Sequence, residues 1–282
     1  MKHQEAWKYF GMAASAAMVF FGLRQFAPAY QVRQFKKNPQ VTGGYLESLE
    51  RETLYHIGLG DSVARGYGSQ RKGFVGIANQ LLEQKLNKPF HLENFGKDSI
   101  TSDKLLSMMT EDHMQVSIGQ ADIVTINIGG NDILKIAMGK GPMEVITAFR
   151  AIKNSYHENI TEIVRQVREL NSECIIVLNE LYNPVPVTEP HYSASVKLVD
   201  IWNAVLYKLA AKDPKIIIIP SARLLLASDR DTWAYDEIHP NDNGNEKMAE
   251  MMVQLLLTPP PGRQGINIAE RIRKSRRRFQ TN

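Results

Sequence analysis

The sequence predicts an α/β protein: a three-layer α/β/α sandwich around a five-stranded parallel sheet, of flavodoxin-like type. Three observations predict it. From about Thr53, short runs rich in β-branched residues alternate with longer runs that are apolar at helical spacing. The short runs are apolar almost without interruption, as befits strands covered on both faces. The runs between them are long enough for the crossovers that parallel strands require.

Taken in order, "TLYHIGLG" (Thr53 to Gly60) reads as the first strand. The helix "GFVGIANQLLEQKLN" follows, with Phe74, Ile77, Ala78, Leu81 and Leu82 on one face. "FHLENFG" (from Phe90) is a short second strand. "SDKLLSMMTEDHMQVSI" reads as one helix opened by Ser102 or Asp103 as its cap. "ADIVTINIGGND" is a third strand ending in a double glycine. A long helical region runs from about Pro142 to Leu170, with a break expected near Asn154. "CIIVLNELY" is the fourth strand, "VKLVDIWNAVLYKLAAK" a helix, "KIIIIP" the fifth strand and "GNEKMAEMMVQLLL" the closing helix. The proline run in "TPPPG" cannot continue that helix, so the body ends there.

Three segments result: residues 1–50 as a targeting or anchoring segment with linker, 51–258 as the folded body, and 259–282 as a basic tail. The tail carries seven basic residues and Glu270, a net +6 that exceeds the +4 of the whole chain and leaves −2 for the rest. Basicity confined to a tail gives the body no nucleic-acid surface, although "ERIRKSRRR" suits anionic lipid headgroups. Cys174 is the single cysteine, which excludes an intrachain disulfide; it opens an apolar run and reads as a small core residue. Near the N-terminus, "YFGMAASAAMVFFGL" lies uncharged between Lys8 and Arg24. It suits the apolar region of a signal peptide, with "APA" as a weak cleavage match, or an uncleaved anchor over residues 7–26. An extracytoplasmic location follows as the expectation, either secreted or held at a membrane. Lys2 and Lys8 precede the segment while Arg24, Arg33, Lys36 and Lys37 follow it, so the positive-inside rule does not favour an exported body.

In an open parallel sheet, ligands bind beyond the carboxyl ends of the strands. That edge receives "GDS" after strand one, "NFGKDS" after strand two and "GGND" after strand three. "DEIHP", just ahead of the last helix, joins them. Alone, each cluster is ordinary loop or capping chemistry. Together, and in this order, "GLGDSVARG", "ENFGKDSITS", "IGGND" and "DEIHPND" resemble the GDSL, or SGNH, hydrolase superfamily of serine esterases and lipases. The resemblance covers roughly Tyr55 to Leu257 and looks towards bacterial lysophospholipase-like and acylhydrolase members. It implies acyl transfer through Ser62, with His239 as base and Asp236 orienting the imidazole. It also implies oxyanion donors on the backbone N–H groups of Ser62 and Gly96 and the side-chain amide of Asn131.

The residue types suit that chemistry. A serine hydroxyl is a poor nucleophile until an imidazole takes its proton, and a carboxylate on the other ring nitrogen fixes the tautomer. Asp236 and His239 are three apart, so one turn can hold them together. Asn131 can donate where an aspartate could not, and Gly96 lets backbone approach closely. Asp61 and Asp132 read as scaffold residues bonding loop backbones, since a carboxylate beside the serine would oppose an oxyanion. No G-x-S-x-G elbow and no Gly-Lys-Ser/Thr phosphate loop is present. No spacing of His, Asp and Glu suggests a metal, and the chemistry requires no cofactor.

For substrate, the sequence points to a small-molecule or lipid ester, such as a lysophospholipid. The alternatives are O-acetyl groups on a cell-wall or extracellular polysaccharide, or a non-catalytic binding role on the same fold. Ile133, Leu134, Ile136, Met138 and Met143 are either an apolar acyl wall or helix core. "LYNPVPVTEPHYSAS" reads as a rim or lid.

Overall fold

The computed structural model describes Leu46, residues 51–137 and residues 142–258, without the side chains of 136–147. The N-terminal apolar segment and the basic tail therefore lie outside the described residues. Five strands, β1 (Leu54–Gly60), β2 (Phe90–Asn94), β3 (Ile123–Asn127), β4 (Ile175–Asn179) and β5 (Ile216–Ile219), form one sheet. All pairings are parallel, in the order β2-β1-β3-β4-β5. The chain leaves β1 first to one side and then to the other, which makes the end of β1 the topological switch point. Gly60 and Asn127 are register partners there.

Alternate strand residues point to opposite faces, and each face has its own core. Ile57, Leu59, Val124, Ile126, Ile176 and Leu178 pack under one helical layer. That layer comprises α3 (Ser102–Met108), α4 (Asp112–Gln120), α6 (Pro142–Leu170) and α7 (Tyr192–Ala210), with α5 (Gly130–Ala137) lying against α6. Leu54, Ile123, Ile175, Val177, Ile217 and Ile219 pack on the other side. There α2 (Gly73–Leu86) lies against α10 (Asp242–Leu257). Short helices α1 (Ser62–Arg65), α8 (Ser221–Leu224) and α9 (Arg230–Trp233) complete the connections. The three-layer parallel sandwich expected from the sequence is the fold observed. Cys174 is buried. Among the described residues, no helix is long and apolar enough to cross a membrane.

Two helical expectations change. The run from Ser102 to Ile118 is two helices, not one. Ser107 and Thr110 hydroxyls donate to carbonyls one turn back, Lys104 and Ser107, which competes with the helical ladder. Glu111 turns extended, and Asp112 opens the next helix, where a negative charge favours an N-terminus. Conversely, α6 runs unbroken through Asn154, because Phe149, Ile152, Tyr156, Ile160, Ile163 and Val167 keep one stripe on the core.

Two facing strand residues, His56 and Thr125, are polar and fully buried. His56 shares a 2.9 Å hydrogen bond between Nε2 and Thr125 Oγ1, and burial lowers its pKa to about 4. The unfolded chain takes up this proton near the ordinary histidine value of 6.5, before the folded chain does. Stability from the neutral ring is thus complete above that pH and declines as pH falls toward 4. Comparing urea midpoints at pH 7 and pH 4.5, His56→Gln is expected to gain about 2–3 kcal/mol relative to wild type on acidification. A constant difference would show that His56 does not titrate with folding.

Candidate active site

The site begins where β1 stops. Gly60 has φ +142, and a Cβ there would lie 1.9 Å from the Asn127 carbonyl oxygen, so only glycine passes this point. The Asp61 N–H donates to that same carbonyl at 3.0 Å. Asp61 then caps α1, its Oδ1 accepting from the Val63 N–H at 3.0 Å. Gly66 in the left-handed region closes the single turn, donating to the Ser62 and Val63 carbonyls. Ser62 is thereby held at the strand tip, partly open to solvent.

A second loop, 177 residues away in sequence, meets it. The Asp236 carboxylate accepts from the backbone N–H groups of Ile238 (2.9 Å) and His239 (2.8 Å). The loop is pinned by Arg230 donating to the Asp236 carbonyl, by Tyr182 Oη donating to the Ile238 carbonyl, and by the Tyr235 N–H donating to the His239 carbonyl. The ring Nδ1 of His239 lies 2.9–3.0 Å from both Asp236 oxygens, and Nε2 lies 2.9 Å from Ser62 Oγ. A carboxylate only accepts, so Nδ1 carries the proton and Nε2 accepts from the serine hydroxyl. Tyr67 covers the imidazole, with ring centroids 4.5 Å apart. Burial pushes the Asp236 pKa up, but hydrogen bonds from His239 and the two N–H groups bring it to about 2. The carboxylate therefore stays ionised beside the ring.

Asn131 lies in the first turn of α5, and its Nδ2 donates one hydrogen to the Ile100 carbonyl at 2.8 Å. Its second amide hydrogen has no acceptor among the described residues, and neither does the Ser62 N–H. Gly96 is different. It packs against the backbone of Ala64 and Arg65, close to the nucleophile, but its N–H donates to Asn94 Oδ1 at 2.9 Å. Asn94 Nδ2 in turn donates to the Ala64 carbonyl. Gly96 thus braces the nucleophile turn, and its hydrogen is already engaged. Further along this loop the N–H groups of Asp98, Ser99, Ile100 and Thr101 have no acceptor among the described residues, and Ser99 is exposed, with φ +61. The left-handed backbone at Ser99 is not legible in the sequence, because such a position ordinarily advertises itself as Gly or Asn.

Asp61 and Asp132 both hold backbone. Asp132 accepts from the Ser102 N–H (3.0 Å) and hydroxyl (2.6 Å), tying α5 to α3. Asp61 ends a buried chain across the strand tips. Ser221 Oγ donates to Asn179 Oδ1, Asn179 Nδ2 to Asn127 Oδ1 (2.6 Å), and Asn127 Nδ2 to Asp61 Oδ1 (2.8 Å). All four side chains are at most 3% exposed. Burial raises the Asp61 pKa to about 6, against the bonds from Val63 and Asn127.

Ile133 is wholly buried in the core, so it forms no open acyl wall; Leu134 is half-buried and packs against that core. Ile136, Met138 and Met143 lie outside the described side chains. The loop after β4 is tied from within: Asn203 brackets Leu181, and Asn183 bonds Val185 and Ser195. Among the described residues, no group of three or more His, Cys, Asp or Glu side chains is placed to hold a metal ion.

The model of the GDSL-like Lipase/Acylhydrolase family matches residues 59–247. The chain is 28% identical to the uncharacterized protein YpmR of Bacillus subtilis over 220 residues, 76% of this chain and 86% of that one. It is 27% identical to the spore germination lipase LipC of Bacillus licheniformis, over 71% of this chain and 95% of that one. Among solved structures, the lipase Lip_vut3 from a goat rumen metagenome superposes with a TM-score of 0.61 at 25% identity, over 71% and 95% of the two chains. The acetylxylan esterase Axe2 of Geobacillus stearothermophilus shares the fold, with a TM-score of 0.53 at 17% identity over 73% and 94%.

Removing the donor to Asp61 tests the buried chain. Asn127→Ala is expected to cost about 2–3 kcal/mol in urea unfolding, since it leaves Asn179 and Asp61 each short of a partner. A loss below about 0.5 kcal/mol would mean that Asp61 does not depend on the chain.

Proposed function

The chain belongs to the GDSL-like Lipase/Acylhydrolase family, an ester-hydrolysing enzyme family, and we propose that it cleaves carboxylic esters through an acyl-enzyme on Ser62. The observation that carries this reading is the unbroken series from Ser62 Oγ through both nitrogens of His239 to Asp236, each contact 2.9–3.0 Å. As Ser62 Oγ attacks the ester carbonyl, Nε2 takes its proton, and Asp236 stabilises the imidazolium without itself taking the proton. Negative charge then develops on the carbonyl oxygen. The Ser62 N–H and the second Asn131 amide hydrogen are the donors proposed to meet it, while the Gly96 N–H is engaged with Asn94 Oδ1. Each fixed donor of this kind contributes about 2.7–4 kcal/mol to the transition state. The imidazolium then protonates the departing alcohol, and a water activated by the same ring releases the acid.

For the acyl half, the lipid-type ester expected from the sequence is supported by the lipase relatives. The uncharged N-terminal stretch and the basic tail support export or anchoring at an anionic membrane surface. The rival substrate is an O-acetylated polysaccharide, and esters of one alcohol with graded acyl length separate the two. Turnover of acetyl esters alone would defeat the lipid-type reading.

Ser62→Ala is expected to abolish ester hydrolysis while leaving the thermal midpoint within about 2 °C. Asp236→Asn is expected to lower kcat by about 10³–10⁴, because the ring loses its tautomer constraint. Full activity in Ser62→Ala would end the assignment.

A further inference from the structure

Two hydrogen bonds do not fix an imidazole. Asp236 engages Nδ1 of His239 and Ser62 engages Nε2, and bonds to ring nitrogens lie near the ring plane. They leave the ring free to swing about the line that joins them. Tyr67 supplies the third contact, ring against ring, with centroids 4.5 Å apart and planes inclined at 49°. That separation is at the short end of the range for aromatic pairs, about 4.5–7 Å, so the imidazole lies close against the tyrosine ring. The reaction described so far gives Tyr67 no part.

Tyr67 is itself fixed relative to the nucleophile. Its N–H donates to the Ser62 carbonyl at 2.9 Å, so the turn that presents the hydroxyl also presents the ring. Tyr235 meets it edge-on, with centroids 6.0 Å apart, and rests in turn on the Gly68 backbone, where a Cβ would come within 2.8 Å of its ring. The Arg65 guanidinium lies over the Tyr67 ring, 5.8 Å from its centroid, and is anchored by Asp98 at 2.6 Å. The His239 that Tyr67 covers is only 3% exposed.

The contact changes character as the proton moves. While Ser62 keeps its proton the imidazole is neutral, and the two rings attract as any aromatic pair does. Once Nε2 holds the proton the ring is a cation, and a cation within about 6 Å of an aromatic centroid is drawn to its negative face. An interaction that strengthens on the way to the transition state accelerates the step. The other charged and titratable groups here are few. On the histidine loop stand Tyr235, Asp236 and Glu237, with Arg230 holding the Asp236 carbonyl and Tyr182 the Ile238 carbonyl. From the nucleophile turn come Asp61, whose charge favours an imidazolium, and Arg65, whose charge opposes it and is offset by Asp98.

We propose that Tyr67 is a positioning residue for the base: its ring holds the His239 imidazole between Asp236 and Ser62, and its π face stabilises the imidazolium formed when the Ser62 proton passes to Nε2. The effect on rate rests on the ester-hydrolase reading; the effect on the basicity of His239 does not.

The test pairs a pH–rate profile with an imidazole titration, using the full chain. Tyr67→Leu keeps an apolar cover over His239 and removes only the π face. On ethyl butyrate it is expected to lower kcat/KM about 3–30-fold. The acid limb of its profile is expected to move down by about 0.4–1.5 in pH, because an imidazolium without the ring gives up its proton sooner. The His239 ring signal in NMR, assigned by its loss in His239→Gln, is expected to titrate lower by the same amount. Tyr67→Phe keeps the face and is expected to restore the rate to within about threefold of wild type, with the acid limb back in place. Where Tyr67→Leu does not fold, Tyr67→Met takes its place. A rate loss with limb and titration unmoved overturns the proposal, since loosened packing alone does that. Tyr67→Phe failing as badly as Tyr67→Leu also overturns it, because the hydroxyl would then be the active part. If wild type turns over no ester, the hydrolase reading falls. The titration then decides the role of Tyr67: a lowered value upholds it and an unmoved one overturns it.

Discussion

Asp61, a buried carboxylate with no Lys or Arg partner among the described residues, is the constraint around which this active site is built. It sits at the switch point of the sheet, where β1 ends between β2 and β3. Neutral donors alone hold it: one backbone N–H from the turn that presents Ser62, and one amide from Asn127 at the tip of β3. Asn127 is fixed by Asn179 at the tip of β4, and Asn179 by Ser221 just beyond β5. The nucleophile's orientation is thereby tied to four strands. A partly satisfied network in such a place would leave the turn free to shift.

This arrangement opposes stability at neutral pH. Burial raises the folded pKa of Asp61 to about 6, so the ionised form is disfavoured in the fold. The penalty is relieved as pH falls from about 6 toward the unfolded value of 3.8, the reverse of an ion-paired carboxylate. Asp132 is raised in the same direction by burial. Asp236, partly open and bonded to His239 and two N–H groups, is driven down to about 2. Three carboxylates thus surround one serine, and their environments separate them. Two hold backbone, and only the one kept firmly ionised faces the imidazole.

The alternation of apolar runs made the five strands and their order of use legible, because parallel strands in a covered sheet leave no polar face to obscure them. The convergence of "GDS", "GGND" and "DEIHP" followed from topology, which brings strand tips together whatever their distance in sequence. What escaped was local competition. Ser107 and Thr110 split one expected helix through side-chain bonds that apolar spacing does not register. The buried Ser221–Asn179–Asn127 chain was hidden because each member, alone, reads as an ordinary residue at a strand end. Gly96 was the natural choice for an oxyanion donor, since glycine marks close backbone approach; the approach is real, but it is to Ala64 and Arg65.

That displacement has a physical logic. A glycine serves either to admit a neighbouring backbone or to turn its own N–H outward, and Gly96 is occupied with the first task. Further along the loop Ser99 stands at φ +61, a conformation that carries a cost of about 1–3 kcal/mol for a residue with a Cβ. The fold sustains it because the flanking residues are fixed. Ile100 is buried, with its carbonyl held by Asn131, and the Lys97 N–H donates to the Gly60 carbonyl at 2.9 Å. The loop is anchored at both ends, and the N–H groups from Asp98 to Thr101 are what remains unbonded between them among the described residues.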